Sequence, residues 1–161
     1  MDEAYGPLYG VVPYTDKVRQ QVIDQFKMFI SLDFMSMVVD ENDEAIAFGF
    51  AIPSLSEAIN KCEGKLFSLK RPFVIFDVLN AVNHPTQLDL ALIAVKPGWH
   101  SKGVPALIMR EMIASFIKRG ITNCETNLNL ETNVQIQQLW KNFEHRQHKH
   151  RRSWKKVLEE N

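Results

Sequence analysis

Residues 87–119 read QLDLALIAVKPGWHSKGVPALIMREMIASFIKR, and their reading decides the fold. Gln87 to Val95 is nearly all apolar, the pattern of a central strand buried on both faces. Lys96-Pro97-Gly98-Trp99 turns the chain. From Pro105 to Arg119 the apolar residues Ile108, Met112, Ile113, Phe116 and Ile117 predict one helical stripe, with Gly120 as the stop. A strand turning sharply into a helix brings free backbone N–H groups and the positive end of the helix dipole to one point. Such a point is a ready anion site.

Working outward, Gly6, Pro7, Gly10 and Pro13 make residues 1–13 a lead-in or linker, leaving 14–161 as a single domain. Thr15 or Asp16 caps a helix from Lys17 to Leu32, in which Val18, Val22, Phe26, Phe29 and Ile30 form a stripe and Asp33 closes it. Phe34–Asp40 and Ala45–Pro53 are strands of an antiparallel hairpin joined by the polar turn 41–44. In the second strand Ile46, Phe48, Phe50 and Ile52 alternate with Ala47, Gly49 and Ala51, so something approaches the small-residue face closely. Ser54 or Ser56 caps a helix through Cys62, with Gly64 as its stop. Residues 65–85 read either as a helix opened by Pro72 or as a short buried strand through Phe73, Phe76, Val78 and Leu79; the helix is favoured. Ile121–Asn127 is a strand and Asn133–Phe143 a helix. The basic tail, 146–158, offers Trp154 and Val157 as strand residues. No internal repeat interrupts this order.

The bulk numbers narrow the function classes. A chain of 161 residues with 45% apolar and 24% charged residues is of ordinary globular composition. Zero formal net charge removes any whole-molecule attraction to nucleic acid or an anionic membrane. Cys62 and Cys124 form no CxxC pair, which argues against a zinc site or disulfide framework and for a reducing cytoplasm. No apolar run reaches membrane-span length, and the acidic, turn-rich MDEAYGPLYG is not a signal peptide.

The element order, together with Leu92-Ile93-Ala94-Val95-Lys96-Pro97 leading into His100-Ser101-Lys102-Gly103-Val104-Pro105, resembles the GNAT superfamily of acyl-CoA-dependent N-acyltransferases. That family's phosphate turn follows Gln/Arg-x-x-Gly-x-Gly/Ala after a strand of the type LxVxPxxQ. Asn133 and Leu139-Trp140-Lys141-Asn142-Phe143 occupy the region of its later helix. The phrases YGVVP, PSLSEA and RQHKHRR extend the likeness from Tyr9 to Arg152, toward the C-terminal part of long bacterial GNAT-like proteins. A preceding N-terminal domain, or a homo-oligomer, is therefore an expected partner. The resemblance implies an α/β (α+β) GNAT-like acyl-CoA N-acyltransferase fold: a central mixed, mostly antiparallel sheet flanked by helices. It implies acetyl-CoA or another acyl-CoA as co-substrate, no metal, and an amine acceptor of unspecified identity. The rival expectation is a non-catalytic GNAT-like module that supports another domain or a partner.

Carried over residue by residue, the resemblance places the pyrophosphate on the amides of Ser101, Lys102, Gly103 and Val104, with Val95, His100 and Asn133 also in the cofactor site. Each charge-assisted hydrogen bond there contributes about 1.5–3 kcal/mol. His100 replaces Gln or Arg. Pro105 stands where Gly or Ala is expected and has no N–H, a loss worth about tenfold in affinity if that amide were a donor. Trp140 occupies the position of the tyrosine that protonates the departing thiolate, and an indole is far too weak an acid for that. Glu125 is the candidate catalytic base, with Glu131 behind it. The pantetheine slot falls between Leu92–Val95 and Cys124–Asn127, with Cys124 read as a small core residue. The segment His145–Arg152 with Lys155 and Lys156 is open to three readings: a nucleotide 3′-phosphate contact, an acidic partner such as nucleic acid, or a solvated terminal strand. The last is favoured, since aromatic interleaving is sparse. Its histidines lack a carboxylate or cysteine companion for a metal.

Overall fold

The computed structural model describes Gly6, residues 12–27, 30–61, 74–154 and Lys156. Its elements are helix α1 (Asp16–Lys27), strands β1 (Met35–Val39) and β2 (Ala45–Pro53), helices α2 (Ser56–Lys61) and α3 (Val74–Asn83), and strand β3 (Gln87–Val95). Helix α4 (Val104–Lys118), strand β4 (Asn123–Thr126) and helix α5 (Val134–Trp140) complete it. The helix reading of 65–85 holds from Val74 onward. Its proposed opener Pro72, together with Phe29, Cys62, Gly64 and Val157, lies outside the described residues.

The sheet runs β1-β2-β3-β4, with β1/β2 and β2/β3 antiparallel and β3/β4 parallel. A parallel pair needs a crossover, and α4 supplies it. The fold is thus the expected mixed, mostly antiparallel sheet flanked by helices. Asp40 shapes the hairpin turn, its carboxylate accepting the N–H groups of Asn42 and Glu44 at 2.9 Å each.

Helix α4 lies on the small-residue face of β2. Leu88, Ile108 and Met112 are the largest fully buried side chains, grouped with Ala47, Ala51, Val95, Val104, Met109 and Phe116. Each such side chain contributes about 1.5–3 kcal/mol relative to exposure. A Cβ on Gly49 would stand 2.8 Å from Met112 Sδ and 3.4 Å from the Leu92 carbonyl oxygen, so the close approach read from the sequence is α4 itself. At the other end of α4, Ser115 Oγ donates to the Asp33 carbonyl and Arg119 pairs with the Asp33 carboxylate. Gly120, at φ 75°, completes a Schellman cap: its N–H donates to Ile117 O and that of Ile121 to Phe116 O, both at 3.0 Å.

Several expectations are corrected. Ile117 is 70% exposed, and Val104 and Met109 take its place in the core, because residue 117 is turned about 100° from the 108/112/116 line. Strand β3 is buried on one face only: Leu88 and Leu90 are buried while Asp89 and Ile93 are half-exposed. Helix α1 ends at Lys27, and Asp33 sits instead in a 3₁₀ turn, Leu32–Phe34, capped by Ser31. The stripe of α1 is not buried either, Val18 being exposed and Val22 half-buried. Periodicity marks a helix without saying what covers it. The tail forms no strand over 144–154, and Trp154 is 83% exposed.

Gly49→Val is expected to destabilise the fold by about 1–3 kcal/mol through overpacking against α4, read from the midpoint of urea unfolding. An unchanged midpoint would place α4 elsewhere.

Candidate active site

The turn after β3 is built in two steps. Pro97 and Gly98, with Gly98 at φ 84°, form a type II-like turn closed by the Trp99 N–H to Lys96 O at 3.1 Å. A 3₁₀ turn, His100–Lys102, then delivers the chain to Gly103 at φ 78°, the N-cap of α4. That left-handed conformation is why glycine stands there. A Cβ at Gly103 would meet no atom within 4 Å, so the space beside the helix end is open. Lys96 Nζ meets Glu44 Oε2 at 3.3 Å, and Lys102 Nζ lies 4.1 Å from the centre of the Trp99 ring.

Helix α4 opens at Val104, so its unsatisfied first N–H groups belong to Gly103, Val104 and Ala106; Pro105 contributes none. The Lys102 N–H donates instead to Trp99 O at 3.2 Å. His100 is half-buried, Ser101 exposed, and Val95 buried immediately before the turn. Asn133 caps α5, its Oδ1 accepting the Ile136 N–H at 3.3 Å.

Strand β4 pairs with β3 only from Gln87↔Asn123 to Leu90↔Thr126. One residue further on, the β2/β3 register slips: Phe50 faces Leu92 and Ala51 faces Leu90, which leaves Ala91 as an extra residue on β3. Beyond that bulge β3 stays bonded to β2 but has lost β4. Lys96 N–H donates to Ile46 O at 2.8 Å, so alternation turns the backbone groups of Val95 and Ile93 toward the vacated edge. The Asn127 side-chain amide reaches the Ala91 carbonyl at 2.5 Å, at the head of this slot. Cys124–Thr126 is therefore paired with Leu88–Leu90 and does not line the slot, contrary to the sequence expectation.

Two carboxylates face each other across the parallel pair, Asp89 on β3 and Glu125 on β4. Glu125 Oε1 accepts from Lys149 Nζ at 2.5 Å and lies 3.4 Å from His148 Nε2, which docks the tail on β4. The Lys149 hydrogen bond holds Glu125 below the usual carboxylate range, while burial of Asp89, with Glu125 adding to it, pushes Asp89 above its own. Ser54 hydrogen-bonds Asp89 and opposes part of that rise. Asp89 was not among the sequence candidates, because only the strand register brings it opposite Glu125. Cys124 is exposed rather than a core residue, yet its thiol is desolvated and stands by Asp89, which together push it up to about 11. A thiol so poorly ionised is a poor nucleophile. Trp140 packs against the core with its Nε1–H buried and without an acceptor.

The bulged central strand, the parallel partner that leaves it, and the glycine turn into α4 define the fold of GNAT-type acetyltransferases. The solved structures it is similar to include a probable acetyltransferase, with TM-score 0.57 and 12% identity over 99% of this chain and 88% of that one. Another is AAC(6')-Iy with the bisubstrate analogue CoA-S-monomethyl-acetylneamine, with TM-score 0.54 and 13% identity over 98% of this chain and 86% of that one. A third is the aminoglycoside 6'-N-acetyltransferase AAC(6')-Ih of Acinetobacter baumannii, with TM-score 0.51 and 15% identity over 91% and 84%. At these identities the likeness is one of fold. No family sequence profile matches the chain, and no curated protein matches it significantly in sequence. Among the described residues no helix is long and apolar enough to cross a membrane.

Glu125→Gln is expected to release the tail, seen as faster tryptic cleavage at residues 146–152 at neutral pH. Because its folded pKa is lowered, the Glu125 contribution is present above the ordinary carboxylate pKa and is lost as pH falls through the folded value. The native chain should approach the variant's cleavage rate only in acid; equal rates at neutral pH would show that the pair does not hold the tail.

Proposed function

We propose that this protein is an acyl-CoA-dependent N-acyltransferase that transfers an acetyl or related acyl group to an amine. The single observation that carries the reading is the loss of β4 from β3 just beyond a bulge, in line with an open glycine turn at the start of α4. The residues fit the carrier. The amides of Gly103, Val104 and Ala106 with Ser101 and His100 hold the pyrophosphate, and the free β3 edge from Ile93 to Val95 holds the pantetheine. The Trp140 Nε1–H, buried without an acceptor, is a donor that the carrier's amide or carbonyl oxygens would satisfy. Asn133 and Lys102 border the same turn-and-helix face.

Bound acyl-CoA supplies the thioester. Within the chain, Asp89 is the better base than Glu125: its raised proton affinity suits it to take the proton the attacking amine sheds, whereas Glu125 is held ionised by Lys149. Trp140 cannot protonate the departing thiolate, so that proton comes from solvent. The solved acetyltransferases that bind CoA, such as AAC(6')-Iy, support the carrier class. A carrier-binding module without turnover is the second reading, favoured by Pro105 and Trp140.

Acetyl-CoA at a hundredfold excess over its Kd should stabilise the protein by about 2.7 kcal/mol, measured as a thermal shift, and Gly103→Val should remove the shift. No shift at millimolar acetyl-CoA would end the acyltransferase reading. Asp89→Asn is expected to keep the shift while lowering turnover by about 10²–10⁴-fold and erasing the acidic limb of the pH–rate profile. A profile identical to that of the native chain would remove Asp89 from the chemistry.

A further inference from the structure

A cleft of about 320 Å³ opens at the end of β3 remote from the glycine turn. Its walls are α2, α3 and the chain entering β3, and its lining is polar: Ser54, Ser56, Glu57, Lys61, Asp77 and Asn80 among others. Glu57 Oε1 and Lys61 Nζ pair at 2.8 Å, so the one ammonium in the wall is neutralised within α2 itself. Asp77 on α3 is then the carboxylate in excess, set among hydroxyl and amide acceptors. An anion would meet no uncompensated positive charge from α2 or α3. A cation would meet a carboxylate and neutral oxygens.

The cleft is joined to the proposed reaction centre through one residue. Ser54 lines it, its hydroxyl lies 3.2 Å from that of Ser56, and it also hydrogen-bonds Asp89. Its backbone N–H donates to Gln87 O at 3.0 Å, which fixes it against the first residue of β3. Asp89 is two residues along that strand, about 7 Å from Gln87 at the usual strand rise. The bulge at Ala91 comes next, and the open edge follows. Carrier and cleft thus lie toward opposite ends of β3, with Asp89 between them.

We infer that this cleft binds the acyl acceptor, and that the acceptor is a small aliphatic di- or polyamine. One ammonium sits by Asp77, and the amine to be acylated reaches past Ser54 to Asp89. This rests on the acyltransferase reading for the role of Asp89, but not for binding of the cation. The acylated amine gives up one proton to Asp89 as its C–N bond forms and the C–S bond of the thioester breaks. The ammonium by Asp77 remains charged throughout.

The test uses the full chain and spermidine, titrated calorimetrically at low ionic strength, since a partly exposed site is screened by salt. The acetyl-CoA thermal shift is recorded on the same samples. Expected is spermidine binding that Asp77→Asn weakens at least tenfold, that Glu57→Gln also weakens by freeing the Lys61 ammonium, and that neither variant transmits to the acetyl-CoA shift. Circular dichroism melts establish that both variants are folded. Absence of spermidine binding to the native chain, or equal affinity in Asp77→Asn, overturns the inference even if the acetyl-CoA shift persists. Spermidine binding that depends on Asp77 in a chain showing no acetyl-CoA shift would instead uphold the cleft and end the acyltransferase reading.

Discussion

The contact of α4 with Gly49 sets the geometry on which everything else depends. With no side chain at that position, Met112 Sδ and Ile108 Cδ1 come down to the backbone of β2 and the helix lies close over the sheet. The height and direction of α4 fix where its N-terminus projects, and therefore where the N–H groups of Gly103, Val104 and Ala106 point. Asp33, bonded to Ser115 and Arg119, ties down the far end of the same helix. An anion site made of backbone is only as exact as the packing that holds the helix carrying it.

The second half of the site comes from what is withdrawn. A parallel strand that stayed paired along all of β3 would satisfy its backbone and leave nothing for a ligand. Here the ladder ends at Leu90 and Thr126, and a bulge bends β3 at Ala91 just where the partner departs. The same register sets Asp89 beside Glu125. Two carboxylates at equivalent positions are then driven apart in proton affinity by their surroundings, one by burial and the other by a lysine from the basic tail. That tail, which resembled a last strand or a polyanion contact in the sequence, meets β4 through side chains rather than through a ladder.

Much of the fold was legible because it rests on local chemistry. The alternation in 45–53, the turn glycines Gly98 and Gly103, the periodicity of 104–118 and the glycine stop at 120 each specify their element from neighbours in sequence. The site was legible only in its backbone half. Glu125 stood out as a carboxylate on a strand, but nothing local marks it as the partner of Lys149, 24 residues away. Asp89 was hidden inside an apolar run, and Ser54 looked like a helix cap.

By itself, then, the amino-acid sequence determined the strand–turn–helix, the hairpin, and the residue type required wherever φ is positive. These follow from sterics and from periodicities shorter than a helical turn or two. Tertiary structure alone decided which face of each element is covered. It turned Ile117 outward, left Cys124 exposed, and ended the β3/β4 ladder at Leu90. It also separated the roles of Asp89 and Glu125. Those outcomes depend on strand register and on contacts between residues distant in sequence, and proton affinity is set by surroundings that exist only once the chain has folded.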